Sequence, residues 1–224
     1  PRSTLFPYTT LFRSSKIMGN SANIGAGFGA LSGNISFDKV LIANNMGDYG
    51  SAISMGEPLG LAINEINLII TNSTIAHNVG LLGVGMINSA ELIAINSIFW
   101  DNGETEFSPL PNNDQLNVSM NFSNAEDEWT GEGNINIDPM FTSNTDFNLQ
   151  SGSPCIDAGT NDINFDGVPD IENYTGTAPD MGAYEFDGGE CGITGDVNTD
   201  GSVNILDIIN VVNLILSNQF DTCA

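Results

Sequence analysis

Positive charge is what this chain lacks first. Only 4 lysines and arginines stand against 28 aspartates and glutamates, a net charge of −24 over 224 residues. Phosphate backbones and acidic lipid surfaces are held by clustered Lys and Arg, so nucleic-acid and membrane-surface binding are excluded. The same charge suits solubility and cation binding. Long apolar runs are missing too. With no stretch of about 18 consecutive apolar residues, no membrane insertion is expected. There is one histidine, and the three cysteines do not decide the redox compartment. Zinc-ligand spacing, a nucleophile elbow and a phosphate loop are all absent. Before residue 200 no helical periodicity of ten or more residues is visible. Yet 41% of residues are hydrophobic, more than a disordered acidic segment carries. The length allows one large domain and one small one.

What is there begins with an oddity. Thr4–Ser14, TLFPYTTLFRS, back-translates into a widely used sequencing-library adapter. Residues 1–15 are therefore read as a translated artefact, with the true N-terminus and any signal peptide lying outside this sequence. Arg2 and Arg13 go with the artefact, which leaves Lys16 and Lys39 as the permanent cations of the rest.

From residue 17 to about 102 the chain repeats itself. FDKVLIAN (37–44), TNSTIAHN (71–78) and INSIFWDN (95–102) are β-branched or aliphatic runs ending in Asn, and KIMGN ending at Asn20 is a fainter copy. Asn20 to Asn44 and Asn78 to Asn102 are each 24 residues, while Asn44 to Asn78 is 34, which implies a loop of extra residues near 55–62. Short strands at this period, separated by small-residue segments, predict a mainly β fold: a right-handed parallel β-helix over residues 16–186 with coils of about 24 residues. Stacked coils repeat at about 4.8 Å, so turn asparagines lie over one another and satisfy their amides along the stack. Asn44, Asn78 and Asn102 are assigned to such a ladder, and His77 to a solvated turn beside it. A protruding loop is expected within 101–133, which carries Glu104, Glu106, Asp127, Glu128 and Glu132. Cys155, beside Ile156, reads as a buried free thiol.

The pieces GEGNI…DPMF, DFNLQSGSPCIDAG and DMGAYEF resemble the terminal coils of secreted β-helix repeat proteins, including the polymorphic outer-membrane-protein type. The resemblance covers about residues 17–186. It implies secretion and the fold, not an activity. Between these motifs, Asp162 to Asp170 spells D-x-N-x-D-G, with Asn173 where a closing carboxylate would stand. An Asx-rich turn and a weak Ca²⁺ site explain it equally well.

After a linker at 187–194, residues 195–216 read GDVNTDGSVNILDIINVVNLIL. A Ca²⁺ ion takes six to eight oxygens, and a twelve-residue loop supplies them when oxygen side chains alternate around a sixth-position glycine. Asp196, Asn198, Asp200, the Ser202 carbonyl, Asn204 through a water and Asp207 fit that pattern, with Gly201 at the turn. The short closing Asp207 and the aliphatic helix that follows resemble one type I dockerin repeat. Residues 195–224 are thus identified as half of a dockerin-like module, with the second repeat cut off. Dockerins are docking modules of secreted, often polysaccharide-degrading proteins that bind a cohesin partner. Where the family uses Ser/Thr for recognition, this chain has Ile205 and Leu206, so an apolar contact with a cohesin-like or other partner is expected through these residues and the following helix. Cys191 and Cys223 bracket the loop and helix and could pair in a secreted protein.

Two functions follow. One is a secreted, calcium-binding docking module on a β-helix linked to polysaccharide catabolism or binding. The other is a non-catalytic, adhesin-like surface protein. A lyase needing Arg or Lys beside Ca²⁺-binding carboxylates does not fit two lysines and no arginine. Glycoside hydrolysis needs only two carboxylates about 5–10 Å apart, and the acidic residues of 101–132 leave it open. Asn198-Thr199-Asp200-Gly201 matches the NTDG of pectin-cleaving hydrolases only by coincidence, since it sits inside the calcium loop.

Overall fold

The structure is a computed structural model that describes residues 9–30, 33–55, 66–86, 91–109, 117–187 and 204–217. It divides into two compact units, Pro1–Glu185 and Phe186–Ala224, each taken by itself below.

The first unit is a parallel β-solenoid. In chain order the strands are β1 (Thr9–Arg13), β2 (Lys16–Met18), β3 (Phe28–Ala30), β4 (Gly33–Asp38), β5 (Leu41–Ala43), β6 (Ile53–Met55), β7 (Ile66–Thr71), β8 (Thr74–Ala76), β9 (Leu82–Met86), β10 (Glu91–Ile95), β11 (Ile98–Trp100), β12 (Thr105–Pro109), β13 (Asn117–Asn121) and β14 (Asn124–Ala125). Every third strand stacks. The first sheet runs β1-β4-β7-β10-β13, the second β2-β5-β8-β11-β14 and the third β3-β6-β9-β12, all parallel. The expected mainly β parallel solenoid is what forms. Paired positions advance by 25, 33, 24 and 26 residues along the first sheet, from Thr9 to Asn34, Asn67, Glu91 and Asn117. The extra residues of the longer coil fall between β6 and β7, where the sequence period placed them. Thr9–Arg13, inside the adapter-like stretch, pairs with β4. Strand geometry reflects the β-prone pattern of these residues, not their origin.

The core is built from side chains that alternate inward. Ile35, Leu68 and Leu92 form one buried column, and Phe37, Ile70, Ala94 and Met120 form the next. Ile42, Ile75, Phe99 and Ala125 face them from the second sheet, with Ile53, Val84 and Phe107 from the third. The short strands of the second sheet are apolar on both faces (LIA, TIA, IFW), as parallel strands covered on both sides are. Their outer cover is the segment of the same unit that follows β14.

Two polar ladders mark the corners. Nδ2 of Asn20, Asn45 and Asn78 donates to Oδ1 of Asn45, Asn78 and Asn102 at 3.0, 2.9 and 2.8 Å. The ladder residue of its coil is Asn45, not Asn44. The Asn44-Asn45 doublet hides this when a 24-residue period is assumed, because that coil advances by 25. Asn44 instead takes the left-handed turn position (φ +56°) and sends its amide out to the Asn144 carbonyl. The other corner is a serine ladder: the N–H groups of Val40, Ser73 and Ser97 donate to the hydroxyls of Ser73, Ser97 and Ser123 at 3.1, 3.3 and 3.0 Å.

After β14 one more parallel rung stacks, Ile135 on Asn124, and no regular three-strand coil follows it among the described residues. An antiparallel hairpin forms from β15 (Phe141–Ser143) and β16 (Asp146–Leu149), and the rest runs to residue 187 without strand or helix. This strap lies back along the solenoid. Asn96 exchanges two 2.7 Å hydrogen bonds with Thr160, Gly182 N–H reaches the Asn96 carbonyl, and Ala183 N–H reaches Thr74 Oγ1. Phe147, Phe141 and Tyr184 pack on Leu41, Ala43 and Ala76 of the second sheet. The SPCIDAG and DMGAYEF motifs build this strap: Met181 N–H bonds the Cys155 carbonyl, and Asp157 N–H bonds Asp180 Oδ1 at 2.8 Å. Cys155 is free and fully buried, as expected. Its Sγ accepts from Asn124 Nδ2 at 3.2 Å, and burial pushes the thiol up to about 11.

The second unit contains one described element, α1 (Ile205–Ser217).

Candidate functional site

The outer face of the second sheet is where the strap leaves an opening. One outward column of that sheet runs Met18, Ala43, Ala76 and Trp100. The two alanines are covered by strap aromatics, while Trp100, at the end of the column, is only half-buried. The residue after each of these strands turns the corner with a left-handed backbone: Gly19, Asn44, His77 and Asp101, with φ between +54° and +69°. Asn and Asp tolerate this region well and His is enriched there. The turn projects these side chains out of the solenoid.

His77, Trp100, Asp101, Glu126, Asp138 and Phe141 surround a cleft of about 450 Å³. His77 is not the solvated turn residue the sequence suggested. It is half-buried with its ring edge-on to Phe147 at 5.4 Å and Phe141 at 6.1 Å, because the β15–β16 hairpin folds over it. Asp101 N–H donates to Glu126 Oε2 at 3.1 Å, which ties the Glu126 carboxylate to the turn of the preceding coil. Asp138, across the cleft, accepts the Met140 N–H at 2.8 Å. No lysine or arginine lines the cleft. Of the carboxylates picked out from the sequence, Glu104, Asp127, Glu128 and Glu132 are exposed and none of them lines it. Glu106 lies in β12. The residues that do line it were missed because Trp100-Asp101 reads as one more repeat ending, and Asp138 comes from a segment about forty residues later.

A second, larger groove of about 900 Å³ lies over the first sheet. Its floor includes Ile69, Ile93 and Ile95, and its wall the Ile163–Asn173 stretch. Arg13 and Asp38 pair across its end at 2.9 Å.

The Asp162–Asp170 loop is held as a nest of Asx turns. Asp162 accepts the N–H groups of Asp166 and Gly167, Asn164 that of Asp166, and Asp170 that of Ile163. Among the described residues no three His, Cys, Asp or Glu side chains converge to hold a metal ion.

Of the calcium loop, Asp196, Asn198, Asp200 and Ser202 lie outside the described residues, as do Cys191 and Cys223. Asn204 is described, and its Oδ1 accepts the Leu206 N–H at 2.8 Å, capping α1. Asp207 sits in the first turn of that helix. Ile205, Leu206, Ile208, Ile209, Val212 and Leu216 are exposed.

No family model, no curated protein and no solved structure matches this chain. What stands is the fold: mainly β, a parallel solenoid, with one short helix near the C-terminus among the described residues.

Proposed function

We propose that the chain belongs to a secreted, polysaccharide-associated protein whose β-solenoid is its body and whose residues 195–217 form a Ca²⁺-binding docking segment of the dockerin type. The observation that carries this reading is the start of α1 at Ile205, directly after Asn204. That is where a loop of spacing Asp196, Asn198, Asp200, Ser202, Asn204, Asp207 must hand over to its helix, and Asn204 caps it. Ca²⁺ brings its charge to a loop with three carboxylates, and binding it orders the loop and supports the helix. The exposed Ile205 and Leu206 are the first side chains a cohesin-like partner would meet, and an apolar helix face of this kind is normally covered. Residues 1–15 are taken as adapter-derived.

Calorimetry tests the metal. Wild-type protein should bind Ca²⁺ with an affinity on the order of 10⁻⁶ M, and Asp200→Ala should lose it. Equal heats from both proteins reject the site. A pull-down with the complete module then tests docking, which Ile205→Asp with Leu206→Asp should abolish. Re-sequencing the gene from fresh template tests the origin of residues 1–15.

A further inference from the structure

The cleft beside the β15–β16 hairpin is formed within the solenoid unit alone. We propose that it is a saccharide subsite, selective for neutral or amino sugars over uronates. This deepens the polysaccharide half of the proposed function and is independent of its calcium half.

The argument starts with Trp100. Its column partners under the strap are Ala43 and Ala76, small residues that let Phe147 pack close. The bulky indole of Trp100 follows at the end of the column: it packs in part against that cluster, and its half-exposed remainder adds a flat apolar surface to the cleft lining. Such a surface stacks on the C–H face of a pyranose, as aromatics elsewhere pack flat partners. The polar lining carries three carboxylates, Asp101, Glu126 and Asp138, beside the neutral Ser143, Asn144 and Gln150. Ionised carboxylates donate nothing, so a ligand meeting Asp101, Glu126 and Asp138 must bring donors. Sugar hydroxyls and ammonium groups do this.

Two of these acceptors are held in place. Glu126 accepts the Asp101 N–H, and Asp138 accepts the Met140 N–H. Each is thereby oriented before a ligand arrives, which reduces the ordering cost of binding. His77, in ring contact with Phe141 and Phe147, lines the cleft beside them.

Charge decides the class of sugar. With three carboxylates and no lysine or arginine in the lining, charge disfavours a uronate. A hard metal ion is not favoured either, since no three of these groups converge. The volume of about 450 Å³ falls within the usual range of small-molecule sites, about 300–1,000 Å³.

The test is a calorimetric titration of the full chain in EGTA, so that calcium-dependent docking plays no part. The probes are cellohexaose, xylohexaose, mannohexaose and deacetylated chitohexaose, with hexagalacturonate as the acidic counterpart. At least one of the first four should bind, and hexagalacturonate should give no heat. Trp100→Ala should weaken binding at least about tenfold. Glu126→Gln keeps an oxygen for the Asp101 N–H but removes the charge, and should weaken binding about three- to tenfold. If Trp100→Ala fails to fold, Glu126→Gln and Asp138→Asn, both exposed positions, carry the test alone. Silence from all four sugars, preference for hexagalacturonate, or unchanged affinity in the folded variants would each overturn the proposal. Loss of Ca²⁺ binding with intact sugar binding would count against the docking segment only.

Discussion

Asn78→Ala should be among the most damaging single truncations of the solenoid. Asn78 is fully buried in the middle of its ladder. Its Oδ1 accepts both the Asn45 N–H at 3.0 Å and Asn45 Nδ2 at 2.9 Å. Its own Nδ2 serves Asn102 Oδ1 at 2.8 Å and the Ile42 carbonyl at 3.0 Å. Removing the amide strands the Asn45 N–H and leaves Asn45 Nδ2 with its bond to the Ile17 carbonyl but one hydrogen unpaired, and each orphaned donor hydrogen costs about 1–3 kcal/mol. Asn102 Oδ1 is left with the longer contact from the Asn78 N–H, 3.4 Å. The sum is about 3–5 kcal/mol, a large part of the stability of an ordinary domain. Asn20, exposed, donates to Asn45 Oδ1 and among the described residues accepts from no further rung. Asn20→Ala should therefore cost no more than about 1 kcal/mol, because water replaces what is lost. Urea unfolding followed by far-UV circular dichroism measures both. If Asn78→Ala and Asn20→Ala shift the midpoint equally, the ladder is ornament rather than support, and the reasoning fails.

Other outcomes follow from particular residues. Folding raises the Cys155 thiol from about 9.0 to about 11, so the buried neutral form contributes fully below pH 9 and its contribution is lost between those two values. Wild type should lose about 2–3 kcal/mol more than Cys155→Ala between pH 8 and 11, and parallel pH profiles in urea melts would refute the burial argument. A Cβ on Gly80 would land on the Gly47 carbonyl oxygen of the neighbouring coil, whereas one on Gly19 meets nothing within 4 Å. Gly19→Ala should cost about 1–2 kcal/mol from its left-handed backbone alone; Gly80→Ala should cost clearly more, and the same thermal midpoint for the two would contradict the packed turn. Asn96→Ala removes both 2.7 Å bonds to Thr160 and should release the strap first. Hydrogen exchange at Thr160 and Gly159 then rises while exchange in β7 and β10 does not; a uniform rise would mean that the strap and the solenoid open together.

The sequence by itself determined the solenoid, because each coil repeats the same local chemistry. Aliphatics alternate inward in FDKVLIA, TNSTIA and INSIFW, and an Asn follows where the chain must turn. The repetition of such a unit leaves stacking as the only way to bury its inner face. Asn78 and Asn102 as ladder neighbours, the long coil and the buried Cys155 were legible for that reason. The helix start at residue 205 was legible too, since capping is local. Tertiary structure decided the rest. Asn44 and Asn45 differ only in which one takes the left-handed turn, and the neighbouring coil makes that choice through Asn78. The repeated Asn-Ser of 72–73 and 96–97 was visible in the sequence, but its role as a serine ladder depends on Val40 and Ser123 arriving above and below. The SPCIDAG and DMGAYEF segments carry no periodicity, so nothing local says that they leave the stack and return over the second sheet. That return is what buries Ala43 and Ala76, tips His77 under Phe141 and Phe147, and brings Asp138 opposite Trp100 and Glu126. The cleft exists only because two stretches far apart in the chain meet, and pattern along a chain does not record such a meeting.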